Sequence, residues 1–122
     1  MKYLILMQVD PDVLDALTPE QQQAIGEGHG AFMAAAKERG EFILTQALAA
    51  PSASKVIRGT TGEPEVTDGP FAETKEFLGG FYLVDVEDEA RAIELAAQIP
   101  DARIPGLALE IRPVVFSDPG QD

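Results

Sequence analysis

The chain has 122 residues, with 21 Asp+Glu against 9 Lys+Arg, one His and no Cys, for a formal net charge of -12 at pH 7. That length suits one domain, and a hydrophobic fraction of 45% is enough to build a core, which sets intrinsic disorder aside. Without cysteine there is no disulfide framework, thiol nucleophile or zinc ribbon, a single histidine cannot make a multi-His metal site within one chain, and the acidic balance argues against nucleic acid or anionic membrane as partners.

Lys2–Val9 (KYLILMQV) is rich in strand formers and too short for a helix, so it is predicted as the first strand. Asp10-Pro11-Asp12 follows at once, leaving the apolar run too short for a signal peptide or a membrane span. The cytoplasm is the expected location. Asp10 to Thr18 is predicted as a connection with a short apolar turn at Val13, Leu14 and Leu17. Thr18-Pro19-Glu20-Gln21 is a helix start, with Thr as N-cap and Pro in the first turn. This helix should run to about Arg39 and stop at Gly40, with Ile25, His29, Phe32, Met33 and Ala36 along its inward stripe.

Glu41–Ala50 and Ser54–Arg58 are the next expected strands. Gly59 to Pro64 has the composition of a tight turn, and Glu65–Thr67 is its short return. Asp68 to Leu78 is predicted as a loop and Gly80–Val86 as a fourth main strand. Asp88 to Ile99 forms a second helix with an acidic start, as the helix dipole favours. Pro100–Gly106 is expected as a loop, Leu107–Val115 as the last strand, and 117–122 as a frayed tail outside a single domain over 1–116. Folded down, the order is βαββαβ with an extra hairpin: an α+β, ferredoxin-like antiparallel sheet with both helices on one face.

The strands are apolar on both sides. Tyr3, Ile5, Met7 and Val9 oppose Leu4 and Leu6; Tyr82, Val84 and Val86 oppose Phe81 and Leu83. Two helices cover one face only, and a bare apolar sheet is uncommon in a soluble monomer, so a homodimer joined sheet to sheet is expected. In the last strand Glu110 and Arg112 fall on that bare face, either paired with each other or a partner chain, or with Arg112 offering its fork to an anionic ligand.

Two places can carry chemistry. His29 is the one side chain of a type that titrates near neutrality. The glycines at 26, 28 and 30 are costly in a helix, about 1 kcal/mol each against Ala, and they strip bulk from around it so that a loop or ligand can approach. The second place is Thr67-Asp68-Gly69-Pro70-Phe71-Ala72-Glu73-Thr74-Lys75-Glu76, whose Asp-Gly-Pro is turn chemistry. It is either a tight connection anchored by Phe71, or a rigid mount from which Asp68 orients a histidine and raises its basicity.

The string Asp68-Gly69-Pro70-Phe71-Ala72-Glu73-Thr74-Lys75-Glu76, followed by Leu78-Gly79-Gly80-Phe81-Tyr82, resembles the signature of the YCII-related, or DGPF-domain, proteins. Met1-Lys2-Tyr3-Leu4, His29-Gly30-Ala31-Phe32 and Glu110-Ile111-Arg112-Pro113-Val114 fit the same pattern, so the likeness runs from residue 1 to about 115. It implies a ferredoxin-like fold in the dimeric α+β barrel superfamily. It also implies a His–Asp active-site pair, here His29 and Asp68. One branch of the family is linked to dechlorination of a chlorinated hydroxyquinol, and some members are encoded beside sigma factors.

Two functions follow as expectations. In the first, the chain is a small enzyme without a cofactor: His29 is the acid or base, Asp68 holds its ring, and Lys75 or Arg112 meets the substrate. Phe71, Phe81 and Tyr82 would wall a pocket for a phenolic or lactone-like molecule. In the second, it is a non-catalytic dimeric module that binds a small molecule or acts in regulation. A metal site of His29 with Asp and Glu has little weight, because two-acid combinations are easy to find among 21 acidic residues, and a haem would have His29 as its one obvious ligand, so neither is expected.

Overall fold

The computed structural model describes residues 1–72 and 74–120; Glu73 of the motif and residues 121 and 122 of the tail lie outside them. β1 (Lys2–Val9) occupies the centre of a four-stranded sheet, flanked by β5 (Phe77–Asp85) and β6 (Ala108–Pro113), with β2 (Phe42–Ala47) on the far side of β5. Every pairing in this sheet is antiparallel. A separate hairpin, β3 (Lys55–Arg58) with β4 (Glu65–Asp68), interrupts the chain between β2 and β5.

The first long helix is stopped at both ends by its own sequence. Thr18 Oγ1 accepts from the Gln21 amide, and Gln21 Oε1 accepts from the Thr18 amide, which closes a capping box on α2 (Pro19–Glu38). Gly40 turns the chain out with φ 73°, a conformation that glycine adopts without penalty. α3 (Glu89–Ala96) starts at Asp88, whose side chain accepts from the Arg91 amide. It ends three residues short of the expected Ile99, because the chain tightens there into a 3-10 turn over Pro100–Arg103. The predicted connection after β1 contains a short helix, α1 (Pro11–Asp15), whose Asp12 amide is capped by Asp10 Oδ1 at 3.0 Å. β2 is shorter than expected and β5 starts earlier, at Phe77.

Both long helices pack on one face of the sheet. Phe32 and Ala36 of α2, and Ala92, Leu95 and Ala96 of α3, are buried with Tyr3, Ile5, Tyr82 and Val84. This is an α+β arrangement consistent with the expected ferredoxin-like layout. The period of two along each strand leaves Leu4, Leu6, Phe81 and Leu83 on the opposite face, cross-strand neighbours in the pairs Leu4–Leu83 and Leu6–Phe81. Arg112 and Glu110 lie opposite Leu4 and Leu6 on that same face. They make no ion pair with each other among the described residues; Gln8 Nε2 reaches Glu110 Oε1 at 3.5 Å instead. No helix is long and apolar enough to cross a membrane among the described residues.

One ion pair ties the two layers together. Arg91 of α3 grips Glu41 with two bonds of 2.8 Å, Nε to Oε2 and Nη2 to Oε1. The hydrogen bonding holds the Glu41 carboxyl below the usual range. It anchors the first turn of α3 to Glu41, the residue just before the edge strand β2.

Candidate functional site

His29 sits where the inward stripe of α2 predicts it, against the sheet, with 21% of its side chain exposed. Both of its ring nitrogens are occupied. Nε2 lies 2.9 Å from Asp101 Oδ1, and Nδ1 lies 2.6 Å from the Tyr82 hydroxyl oxygen. An ionised carboxylate can only accept, so in the neutral ring Nε2–H donates to Asp101 and the Tyr82 O–H donates to Nδ1. The result is a continuous chain from phenol through imidazole to carboxylate.

Each member is held by a different element. Tyr82 is in the middle of β5, opposite Ile5, with Phe32 edge-on to its ring at 4.9 Å and Phe42 at 6.4 Å. His29 stacks at 5.9 Å and 16° over the same ring. Asp101 is in the 3-10 turn that ends α3 and is 6% exposed. That turn reaches His29 because residue 28 has no side chain: a Cβ there would stand 2.5 Å from Pro100 Cγ. The glycines around His29 are thus explained at one position only, since a Cβ at Gly26 or Gly30 would meet nothing within 4 Å.

Asp68 is not the partner of His29 within the chain. It ends β4, is exposed, and pairs with Lys55 across the hairpin. The glycine after it fits the reading of the motif as a tight connection. Gly69 packs directly on Ser54, whose Oγ would lie 1.9 Å from a Cβ, and its amide donates to the Ser54 carbonyl at 2.9 Å. Asp-Gly-Pro therefore closes the hairpin base, with a cis bond between Gly69 and Pro70.

The other expected residues are dispersed. Phe71 is 73% exposed, with the Arg58 guanidinium 5.1 Å above its ring. Lys75 bonds to Asp10 at 3.2 Å, which pushes its ammonium pKa up. Arg112 is on the opposite face of the sheet from His29. Tyr82 alone joins His29, and as a hydrogen-bond partner, not merely an apolar wall. Asp101 was one carboxylate among 21 acids in the sequence; the glycine at 28 signalled that something approaches, without saying what.

Two clefts meet at the His29–Asp101 pair. One, of about 310 Å³, is also lined by Tyr82, Met7, Met33, Thr45 and Gly79. The other, of about 250 Å³, opens toward Leu14, Leu17, Gln22 and Ile25. Val9 lines both. Among the described residues no three His, Asp or Glu side chains gather into a metal-ligating group.

Burial, and then the Asp101 charge, push the Tyr82 phenol up to about 12. The phenol in the unfolded chain ionises near 10, so between those values the unfolded state binds fewer protons. Stability supplied by this group is therefore complete below pH 10 and is lost as pH rises through 12. The whole difference is about 3 kcal/mol. Urea denaturation from pH 9 to 11.5 is expected to show wild type losing stability faster than Tyr82→Phe; parallel curves would contradict the shift.

The profile of the YCII-related domain family matches residues 1–116. An uncharacterized protein of Rhizobium meliloti (strain 1021) is 32% identical over 121 residues, covering 99% of this chain and 98% of its own length. The match spans every element from β1 to β6, including the helix that carries His29 and the turn that carries Asp101. The chain belongs to the YCII-related domain family.

Proposed function

We propose that this protein is a small acid/base enzyme, independent of a cofactor, in which Tyr82, His29 and Asp101 form a proton relay. The observation that supports this reading most is the filling of both nitrogens of the only histidine, by a phenol and by a buried carboxylate, at the wall of a cleft. A substrate proton delivered to the Tyr82 oxygen lets the phenolic proton pass to Nδ1. Asp101 fixes the tautomer that makes Nδ1 the acceptor and stabilises the imidazolium that forms. Reversing the transfer returns the proton at another substrate atom, which is the requirement of an isomerisation or elimination on a small phenolic or lactone-like molecule. Asp101 takes the orienting role expected of Asp68, whose carboxylate is engaged by Lys55.

The working unit in this proposal is a homodimer, each protomer covering the other's Leu4, Leu6, Phe81 and Leu83. Exchange of carbon-bound protons for deuterium in a panel of such molecules, followed by NMR, gives the test. His29→Ala, Tyr82→Phe and Asp101→Asn are each expected to lower exchange about 100-fold. Undiminished exchange in all three variants would remove the relay. The alternative, a dimeric binding module without catalysis, draws on the 2% exposure of Tyr82, which suits a polar tie inside a core. It expects the same variants to lose stability while no exchange is seen in wild type.

A further inference from the structure

The cleft beside Tyr82 has an unusual hydrogen-bonding balance. Two hydroxyls border it, Tyr82 and Thr45. The Tyr82 proton is spent on His29 Nδ1, and the Thr45 proton is spent on the Phe81 carbonyl at 2.8 Å. Each oxygen is left with lone pairs only. Asp101, at the same cleft, accepts from His29. Gln46 also borders the cleft, but it is the cross-strand neighbour of Phe81, so the alternation of the strand turns its carboxamide to the other face of the sheet. The remaining side chains are apolar, with Met7 and Met33 prominent.

Among the described residues no lysine or arginine lines this cleft or the one adjoining it. The cations that the sequence offered for an anionic ligand are placed elsewhere: Lys75 on Asp10, and Arg112 on the opposite face of the sheet. Asp101 leaves negative charge in the site, and the chain carries a net charge of -12. An anion would lose its hydration here without gaining a partner. It would also be repelled on approach.

We infer that this cleft binds a ligand that is a hydrogen-bond donor and not an anion, received by the Tyr82 and Thr45 oxygens together. The choice rests on the relay, because it is the proton held at His29 Nδ1 that turns Tyr82 into an acceptor. Thr45 belongs to no step of the relay, so binding and turnover fail separately.

Three probes of similar size separate the cases: benzyl alcohol, benzyl methyl ether, which lacks the donor, and benzoate, which carries a charge. Titrations of the full-length protein at pH 7 are followed by the Gly79 amide and His29 ring signals. Benzyl alcohol is expected to bind at least tenfold more tightly than either of the others. Thr45→Val should weaken the alcohol several-fold and leave the ether unchanged, and Thr45→Ser should restore the alcohol. Benzoate or the ether binding as well as the alcohol would overturn the inference, as would no response to the alcohol. Exchange activity lost in Tyr82→Phe while wild type keeps this selectivity would support both statements. Selectivity without any exchange activity in wild type would remove the relay's catalytic role and leave the ligand class standing.

Discussion

Replacing Gly28 by Val is expected to cost about 2–3 kcal/mol and to part Asp101 from His29, whereas Ala at Gly26 or Gly30 is expected to stabilise by about 0.5–1 kcal/mol. The three glycines lie within five residues on one helix and differ in what a Cβ would meet. At 26 and 30 there is open space, so the substitution mainly removes conformational freedom from the unfolded chain. At 28 the new atom would stand 2.5 Å from a proline ring, which cannot swing away as a flexible side chain does. The whole 3-10 turn must move, and it carries Asp101. Chemical denaturation measures the stabilities. The nitrogen shifts of the His29 ring report the tautomer, which is expected to change in Gly28→Val and to stay in the other two. A destabilised Gly26→Ala, or an unchanged ring in Gly28→Val, would contradict this account.

Ile99→Ala is expected to have the larger effect on stability, about 2–5 kcal/mol. Ile99 is 0% exposed, packs with Leu95 and Ala96, and immediately precedes Pro100 and Asp101. Its removal leaves a cavity beneath the turn as well as losing buried apolar surface. The same substitution should therefore loosen the His29–Asp101 contact, whereas Ile99→Val, costing about 0.5–1.5 kcal/mol, should preserve it. The urea midpoint and the His29 ring shifts of the two variants provide the measurement. A loss below 1 kcal/mol for Ile99→Ala would mean that the end of α3 does not rest on this side chain.

These two positions show why the site was only half legible in the sequence. The inward face of His29 is legible because Ile25, Phe32 and Ala36 recur at helical spacing with it, and such spacing reports a face directly. Its partners are 72 and 53 residues away. No local period links residues so distant. Asp68 drew attention because it precedes a Gly-Pro turn, but that turn serves the hairpin, where Lys55 is the cross-strand neighbour of Asp68. By sequence, Tyr82 is only an apolar wall of the pocket. Its ring does pack on Phe32 and Phe42, and it is the hydroxyl that the sequence left without a partner.

What the sequence by itself determined is local. The capping box at Thr18, the stop at Gly40, the two-sided apolar alternation of β1 and β5 and the order of the elements all depend on residues within a few positions of one another. The tertiary structure alone decided which of many carboxylates meets the histidine. That outcome depends on where α3 ends, how the turn after it is seated by Ile99, and whether α2 lets Pro100 approach at Gly28. Each is a steric or electrostatic fit between distant segments, and such fits exist only once the two layers are packed.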